Sequence, residues 1–283
     1  MVTVANCFED MSCKDLNITD ENLRSFLVDV VNTLQNELGN NLAAIILHGS
    51  LAMGTFYAPK SDVDLLVLVQ DTSGEQARRL YDLFEQLHAC RPYVGGLEVS
   101  VIKLADARSP KHPMPYLVHF SETTIRCQPW PDGVLPTDED LIAHLTVARQ
   151  HGRSLYGSQN MIGELPWPAY LASVRSDIDW ILCDENILKS PYYGILNLCR
   201  WAMMAETPER IVPGKDEAGI WALSHLPEIL RASVTQALAA YRSTDWPQTI
   251  SDRQQSGGPW HRESLIRFRD YMRSHYGNEK HMS

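Results

Sequence analysis

Two short apolar runs constrain the first half of the chain more than any other feature. LAAIILHGS, residues 42–50, and SDVDLLVLV, residues 61–69, are rich in Leu, Ile and Val and bounded by Gly, Ser and Asp. Runs of that length closed by turn residues read as buried strands rather than helices. The neighbouring segments alternate with them. Residues 20–38 repeat apolar positions at Leu23, Phe26, Leu27, Val30, Val31, Leu34 and Leu38, a helical period ended by Gly39. Residues 74–90 are again helical in pattern, and 96–102, GLEVSVI, alternates like a strand. LVHFSETTIRC, residues 117–127, reads as a further strand or an irregular segment. Helices alternating with strands predict an α+β domain on a mixed sheet.

The pattern changes at Thr137. Thr137 and Asp140 form a capping-box pair at the start of a helix that stops at Gly152, and 168–184, 191–206, 216–225, 227–242 and 260–276 are all helix-like. No strand is expected in this half, which reads as an all-α helical bundle. The boundary is expected near Tyr156–Pro166, giving domains over 1–156 and 157–283. A chain of 283 residues is comfortable with two domains of the usual size, about 100–200 residues each.

Charge and cysteine usage narrow the function classes. With 25 Lys and Arg against 35 Asp and Glu, the formal charge is −10. That balance does not favour a nucleic-acid partner, which needs a basic surface, and it suits a cationic small molecule. Cys7, Cys13, Cys90, Cys127, Cys183 and Cys199 form no CxxC pair and are expected to be reduced and mostly buried. The first residues do not look like a leader, and no run approaches the roughly 20 apolar residues of a membrane span. A cytoplasmic, monomeric protein without membrane contact is expected.

The chemistry is carried by residues 47–69, LHGSLAMGTFYAPKSDVDLLVLV. Side chains two apart on a strand share a face, so Asp62 and Asp64 project together while Val63, Leu65 and Val67 enter the core. Converging carboxylates repel unless a cation lies between them, and Mg²⁺ commonly joins a few carboxylates to substrate phosphates. Gly49 and Ser50 open a helix whose backbone N–H groups can hold phosphates at its positive end, and Gly54 permits close backbone approach. In GLEVSVI, Glu98 falls on the polar face. If this strand neighbours the Asp62–Asp64 strand, Glu98 can ligate metal or take the proton from an attacking hydroxyl.

This Gly-Ser and Asp-x-Asp arrangement resembles the DNA polymerase β-like nucleotidyltransferases. The second half narrows the resemblance. YYGILNLCRW at 192–201 and RIVPGKDEAGIWALSHLP at 210–227 resemble the helical domain of the streptomycin/spectinomycin adenylyltransferases, and DEDLIAHLTVARQHGRSLYG is similar to that family's inter-domain region. The resemblance runs from about Asn41 to Tyr241. It implies Mg²⁺-dependent transfer of AMP from ATP to a hydroxyl of an aminoglycoside or aminocyclitol. Asp62, Asp64 and Glu98 would be the catalytic and metal-binding acids, with Gly49, Ser50, Arg200, Lys215 and Tyr241 on the nucleotide. The residues agree in part: Tyr193, Asn197 and Arg200 make a polar stripe on a helix, and an Arg there can donate twice to a phosphate.

Polycationic acceptors need carboxylates and aromatic walls. Trp180, Asp184 and Glu185 are the candidates, while Asp177 and Asp179 read as a solvated helix face. The family's tryptophan that helps hold streptomycin falls at Thr123 here, which ranks spectinomycin ahead of streptomycin. His48 reads as a polar filler. Two rival readings are a same-fold enzyme acting on a protein or RNA, and a catalytically silent nucleotide-binding module.

Overall fold

The computed structural model describes residues 18–58, 60–93, 95–122, 133–245, 247 and 249–277. The chain divides into two compact units, Met1–Gly54 with Asp62–Pro166, and Thr55–Ser61 with Trp167–Ser283. Residues 55–61, in the middle of the motif, thus pack with the second unit.

In the first unit, α1 (Glu21–Leu38) starts where the Asp20 carboxylate accepts from the N–H groups of Asn22 and Leu23. A cap of this kind contributes about 1 kcal/mol. The helix buries Leu23, Phe26, Leu27, Val30 and Leu34. It leads into β1 (Leu42–His48), buried along its whole length, and the one-turn α2 (Gly49–Ala52). β2 (Val63–Val69) follows, then α3 (Gly74–Cys90), β3 (Leu97–Lys103) and α4 (Leu104–Arg108). Among the described residues β4 (Met114–Pro115) pairs with β6 (Thr137–Asp138), and β5 (Val118–Phe120) joins the main sheet. α5 (Leu141–His151) and β7 (Arg153–Tyr156) complete the unit.

The main sheet has the order β5-β3-β2-β1-β7, with β2 and β3 parallel and the other pairs antiparallel. Apolar runs without alternation, such as AAIIL and LLVLV, suit strands covered on both faces. All side chains of 42–47 and 65–69 are indeed buried.

Three expectations need correction. The half after Thr137 does contain strand: Arg153–Tyr156 pairs antiparallel with β1. RSLY has one strongly apolar side chain that is buried, Leu155, so an edge strand this short leaves almost no periodic signal. Thr137 is not a helix cap either. It pairs with Pro115, α5 starts at Leu141, and the Asp138 carboxylate accepts the Asp140 N–H at 2.7 Å. Finally, of the cysteines among the described residues, Cys90 and Cys183 are exposed and only Cys199 is buried. Cys7, Cys13 and Cys127 lie outside the described residues, as does the N-terminal stretch.

The second unit is helical: α6 (Trp167–Leu182), α7 (Pro191–Glu206), α8 (Lys215–His225), α9 (Glu228–Arg242), α10 (Ile250–Gln254) and α11 (Arg262–Tyr276). α7 is the central element. It buries Ile195, Leu196, Leu198, Cys199, Trp201 and Ala202 among its neighbours, and the Trp201 indole N–H donates to the Tyr276 carbonyl at 2.8 Å, fixing the end of α11. Among the described residues, no helix is long and apolar enough to cross a membrane.

Candidate functional site

Strand pairing in the first unit sets His48 opposite Asp64, and Asp64 opposite Glu98. Residues paired across neighbouring strands share a face, so three adjacent strands bring His48, Asp64 and Glu98 into one row at the same end of the sheet. In β2 the single partly exposed position is Asp64. In β3 the partly exposed positions are Glu98 and the terminal Lys103. Acidic side chains thus reach solvent where buried apolar residues otherwise run on.

Asp62 lies just ahead of β2. Its Oδ1 accepts the Gly96 N–H at 2.6 Å, and the Gly96 carbonyl accepts the Val63 N–H at 2.9 Å. The carboxylate is therefore held against the entry of β3. Two glycines make room for the acids. A Cβ on Gly96 would sit 2.8 Å from Asp62 Oδ1. A Cβ on Gly49, whose φ is +63°, would overlap Asp64 Oδ2 and lie 2.7 Å from its Cγ. Gly49 is thus required twice, by its backbone conformation and by the carboxylate resting on it. Gly54 has a φ of +73°, a backbone conformation that favours glycine, and a Cβ there would meet no protein atom within 4 Å.

Among the described residues, there is no group of three His, Cys, Asp or Glu side chains placed to hold a metal ion. Mg²⁺ does not call for one, because it keeps several waters and takes one or two carboxylates plus substrate phosphates. Asp62 and Asp64 offer hard oxygen donors, and the missing Cβ at Gly49 leaves the Asp64 carboxylate a backbone cradle; this donor set fits Mg²⁺. Glu98 has another neighbour: its Oε1 is 3.5 Å from His144 Nδ1. The helix opened by Gly49 and Ser50 has a single turn, so the dipole expected there is small. What remains are the first N–H groups of that turn, which have no partner within so short a helix.

His144 is the residue the sequence reading missed. It lies on α5, which packs on β1 and α2, and its ring centroid is 5.4 Å from that of His48. His48 is 4 % exposed, and burial holds its pKa well below the ordinary imidazole value, with His144 acting in the same direction. It is a neutral side chain in the acidic row. The available sequence signal was a polar residue between the buried positions Ile142 and Leu145, which is weak on its own.

In the second unit, Arg200, Lys215 and Tyr241 do come together. Arg200 Nε donates to the Pro213 carbonyl at 2.9 Å and Nη1 to Asn197 Oδ1 at 3.0 Å, which orients the guanidinium. Lys215, the first residue of α8, holds Nζ 5.0 Å from the Tyr193 ring centroid and 5.8 Å from that of Tyr241, a cation–π arrangement. The Tyr241 hydroxyl donates to the Thr55 carbonyl at 3.1 Å, and its ring meets Tyr57 edge-on at 5.0 Å. Residues 55–61 thus brace the nucleotide tyrosine expected from the family resemblance.

Asp177 belongs to this cluster and is not the solvated acid expected. It accepts the Tyr193 hydroxyl at 2.9 Å. Burial raises its pKa, against the opposing pull of the Tyr193 hydrogen bond, Lys215 and Arg200. Asp179 is exposed and pairs with Arg175 at 2.8 Å, as a solvated face would. Trp180, Asp184 and Glu185 are not drawn into the cluster. Trp180 is 40 % exposed beside Lys189, Asp184 accepts from the Cys183 thiol, and Glu185 pairs with Arg262. The helix period carries residue 177 to the Tyr193 side, whereas Trp180 is exposed in the last turn of α6 and Asp184 and Glu185 lie beyond its end at Leu182. Thr123 lies outside the described residues.

Known proteins fit this arrangement. Residues 28–113 match the family model of the nucleotidyltransferase domain, and residues 160–272 match that of the aminoglycoside adenylyltransferase C-terminal domain. No curated protein matches the chain in sequence. In structure it is similar to spectinomycin adenyltransferase AAD(9) from Enterococcus faecialis, solved with ATP and spectinomycin. The TM-score is 0.68 at 18% identity, over 90% of this chain and 99% of that one. At that identity the likeness speaks for the fold. The two family matches carry more: a nucleotidyltransferase domain followed by the C-terminal domain of one particular group of such enzymes. The chain belongs to the aminoglycoside adenylyltransferase family.

Proposed function

We propose that the protein transfers AMP from ATP to a hydroxyl of an aminocyclitol antibiotic, with spectinomycin preferred to streptomycin, and releases pyrophosphate. The observation that carries this reading is the row formed by Asp64 and Glu98 on parallel strands, with Asp62 tethered beside it and Gly49 kept free of a side chain. AAD(9), with the same fold, was solved with ATP and spectinomycin.

Asp62 and Asp64 would hold Mg²⁺, which neutralises charge on the phosphates when bound. Glu98 takes the proton of the acceptor hydroxyl on its carboxylate. The oxygen so freed forms a bond to the α-phosphorus, the bond from that phosphorus to the bridging oxygen of pyrophosphate breaks, and pyrophosphate leaves. The N–H groups of Gly49 and Ser50, the Ser50 hydroxyl, the Arg200 guanidinium and the Lys215 ammonium bind phosphate oxygens, and Tyr241 lines the nucleotide site. Catalysis then comes from positioning and electrostatics. Asp177 is the second-unit acid best suited to a cationic acceptor. Its buried charge is costly, and an ammonium group offsets that cost. Trp180, Asp184 and Glu185, exposed or already paired, suit the role less well.

The test is an acceptor screen with ATP and Mg²⁺, reading pyrophosphate. Spectinomycin should be turned over faster than streptomycin at matched concentrations. Stronger turnover of streptomycin reverses the ranking and leaves the family intact. Turnover of no aminoglycoside or aminocyclitol, with ATP still bound, moves the acceptor to a protein or RNA.

A further inference from the structure

We infer that His144 is a positioning residue for Glu98, an inference that rests on the reading of Glu98 as the base. The geometry is a chain of contacts within the first unit. Glu98 Oε1 faces His144 Nδ1 at 3.5 Å. The His144 ring is backed by the buried ring of His48, at 5.4 Å between centroids and an interplanar angle of 49°. His48 is in turn paired across the sheet with Asp64, itself the partner of Glu98. α5 carries His144 into this place by burying Leu141, Ile142 and Leu145 on either side of it.

A carboxylate base on a strand has two oxygens and a freely turning terminal bond. With Oε1 held 3.5 Å from the His144 imidazole, the other oxygen is the one presented to the acceptor hydroxyl. A base oriented by a third group is a recurrent catalytic arrangement. Here the third group is itself held, since His48 cannot yield without disturbing β1. Among the described residues the His144 imidazole is the polar side chain beside Glu98 Oε1, so removing it leaves the carboxylate free to rotate. His144 touches neither ATP nor acceptor in this account; it acts through Glu98.

Two measurements test the inference on the full-length protein. The first is the ¹⁵N spectrum of the imidazoles, with the His144 signals assigned by their loss in His144→Gln. Glu98→Gln should move the His144 Nδ1 resonance, with no acceptor required; an unmoved resonance overturns the contact. The second is kinetic, with spectinomycin, ATP and Mg²⁺. His144→Ala should lower kcat by about tenfold or more, with KM for ATP held within about twofold. His144→Gln, which keeps an N–H donor, should recover most of the loss. In a Glu98→Gln background, His144→Ala should cost nothing further. An equal loss in both backgrounds, or equal damage from Ala and Gln, overturns the positioning role. Glu98→Gln with the parent kcat would instead remove the base role itself, and the two failures are told apart by that single variant.

Discussion

Gly49→Ala separates the two reasons for a glycine in the motif, with Gly54→Ala as its control. Both residues have positive φ, +63° and +73°. An L-residue in that region costs roughly 1–2 kcal/mol, so both variants should be destabilised by about that amount. They differ in what the new methyl meets. At Gly54 it meets nothing within 4 Å, whereas at Gly49 it overlaps the Asp64 carboxylate. That carboxylate is the end of a side chain and can rotate away, so the fold of Gly49→Ala should suffer little beyond the backbone cost. The carboxylate cannot remain where it was. A displacement of about 1 Å at a reacting centre costs on the order of 100-fold in rate, about 2.7 kcal/mol of transition-state stabilisation. The assay pairs urea unfolding with steady-state AMP transfer. The two unfolding free energies should agree to within ~0.5 kcal/mol, the usual scatter for surface changes, while kcat of Gly49→Ala falls about 100-fold below that of Gly54→Ala. Equal kcat in the two variants would show that the Asp64 position does not matter. A much larger loss of stability in Gly49→Ala would show that the fold, not the side chain, absorbs the overlap.

Three further predictions follow from the same geometry. Asp177 has a folded pKa above its unfolded value, so its contribution to stability is full below the unfolded value of about 4 and is lost as pH rises through the folded value; Asp177→Asn should therefore unfold at a higher temperature than the parent at pH 7, and the difference should close as the pH approaches about 4. Lys215→Met should raise KM for ATP by about tenfold or more, the worth of a charge-assisted hydrogen bond, with kcat changed much less; an unchanged KM would leave Lys215 a packing residue for Tyr193 and Tyr241. Cys199 is buried with its thiol pKa pushed up by desolvation, so in the native protein iodoacetamide should label Cys90 and Cys183 and spare Cys199; early modification of Cys199 would contradict its burial.

The sequence made some elements plain and hid others for physical reasons. β1 and β2 were legible because unbroken apolar runs have few alternatives once Gly, Ser and Asp bound them. The acids were legible because charge inside such a run is costly without a purpose. Glu98 depended on strand adjacency, which the parallel pairing of β2 and β3 supplies. The partners of these acids were not legible. The Gly96 N–H that holds Asp62 is a backbone group with no side-chain signature, and His144 is 46 residues beyond Glu98 on an element whose rotation about its axis the pattern does not set. Asp177 and Asp179 show the same limit at closer range. They sit two apart on α6, and the helix turns one toward Tyr193 and the other toward solvent. The exchange of residues 55–61 into the second unit has no compositional mark at all.

In the proposed reaction the α-phosphate of ATP, and not the γ-phosphate, is the group transferred, and Asp64 is needed for it. Parallel reactions with ATP labelled at the α or the γ position, in the presence of Mg²⁺ and spectinomycin, test both parts. The α-label should appear in the drug and the γ-label in pyrophosphate, and neither should do so with a folded Asp64→Asn variant. Gamma-label in the drug, or α-label transfer that survives in Asp64→Asn, would contradict it.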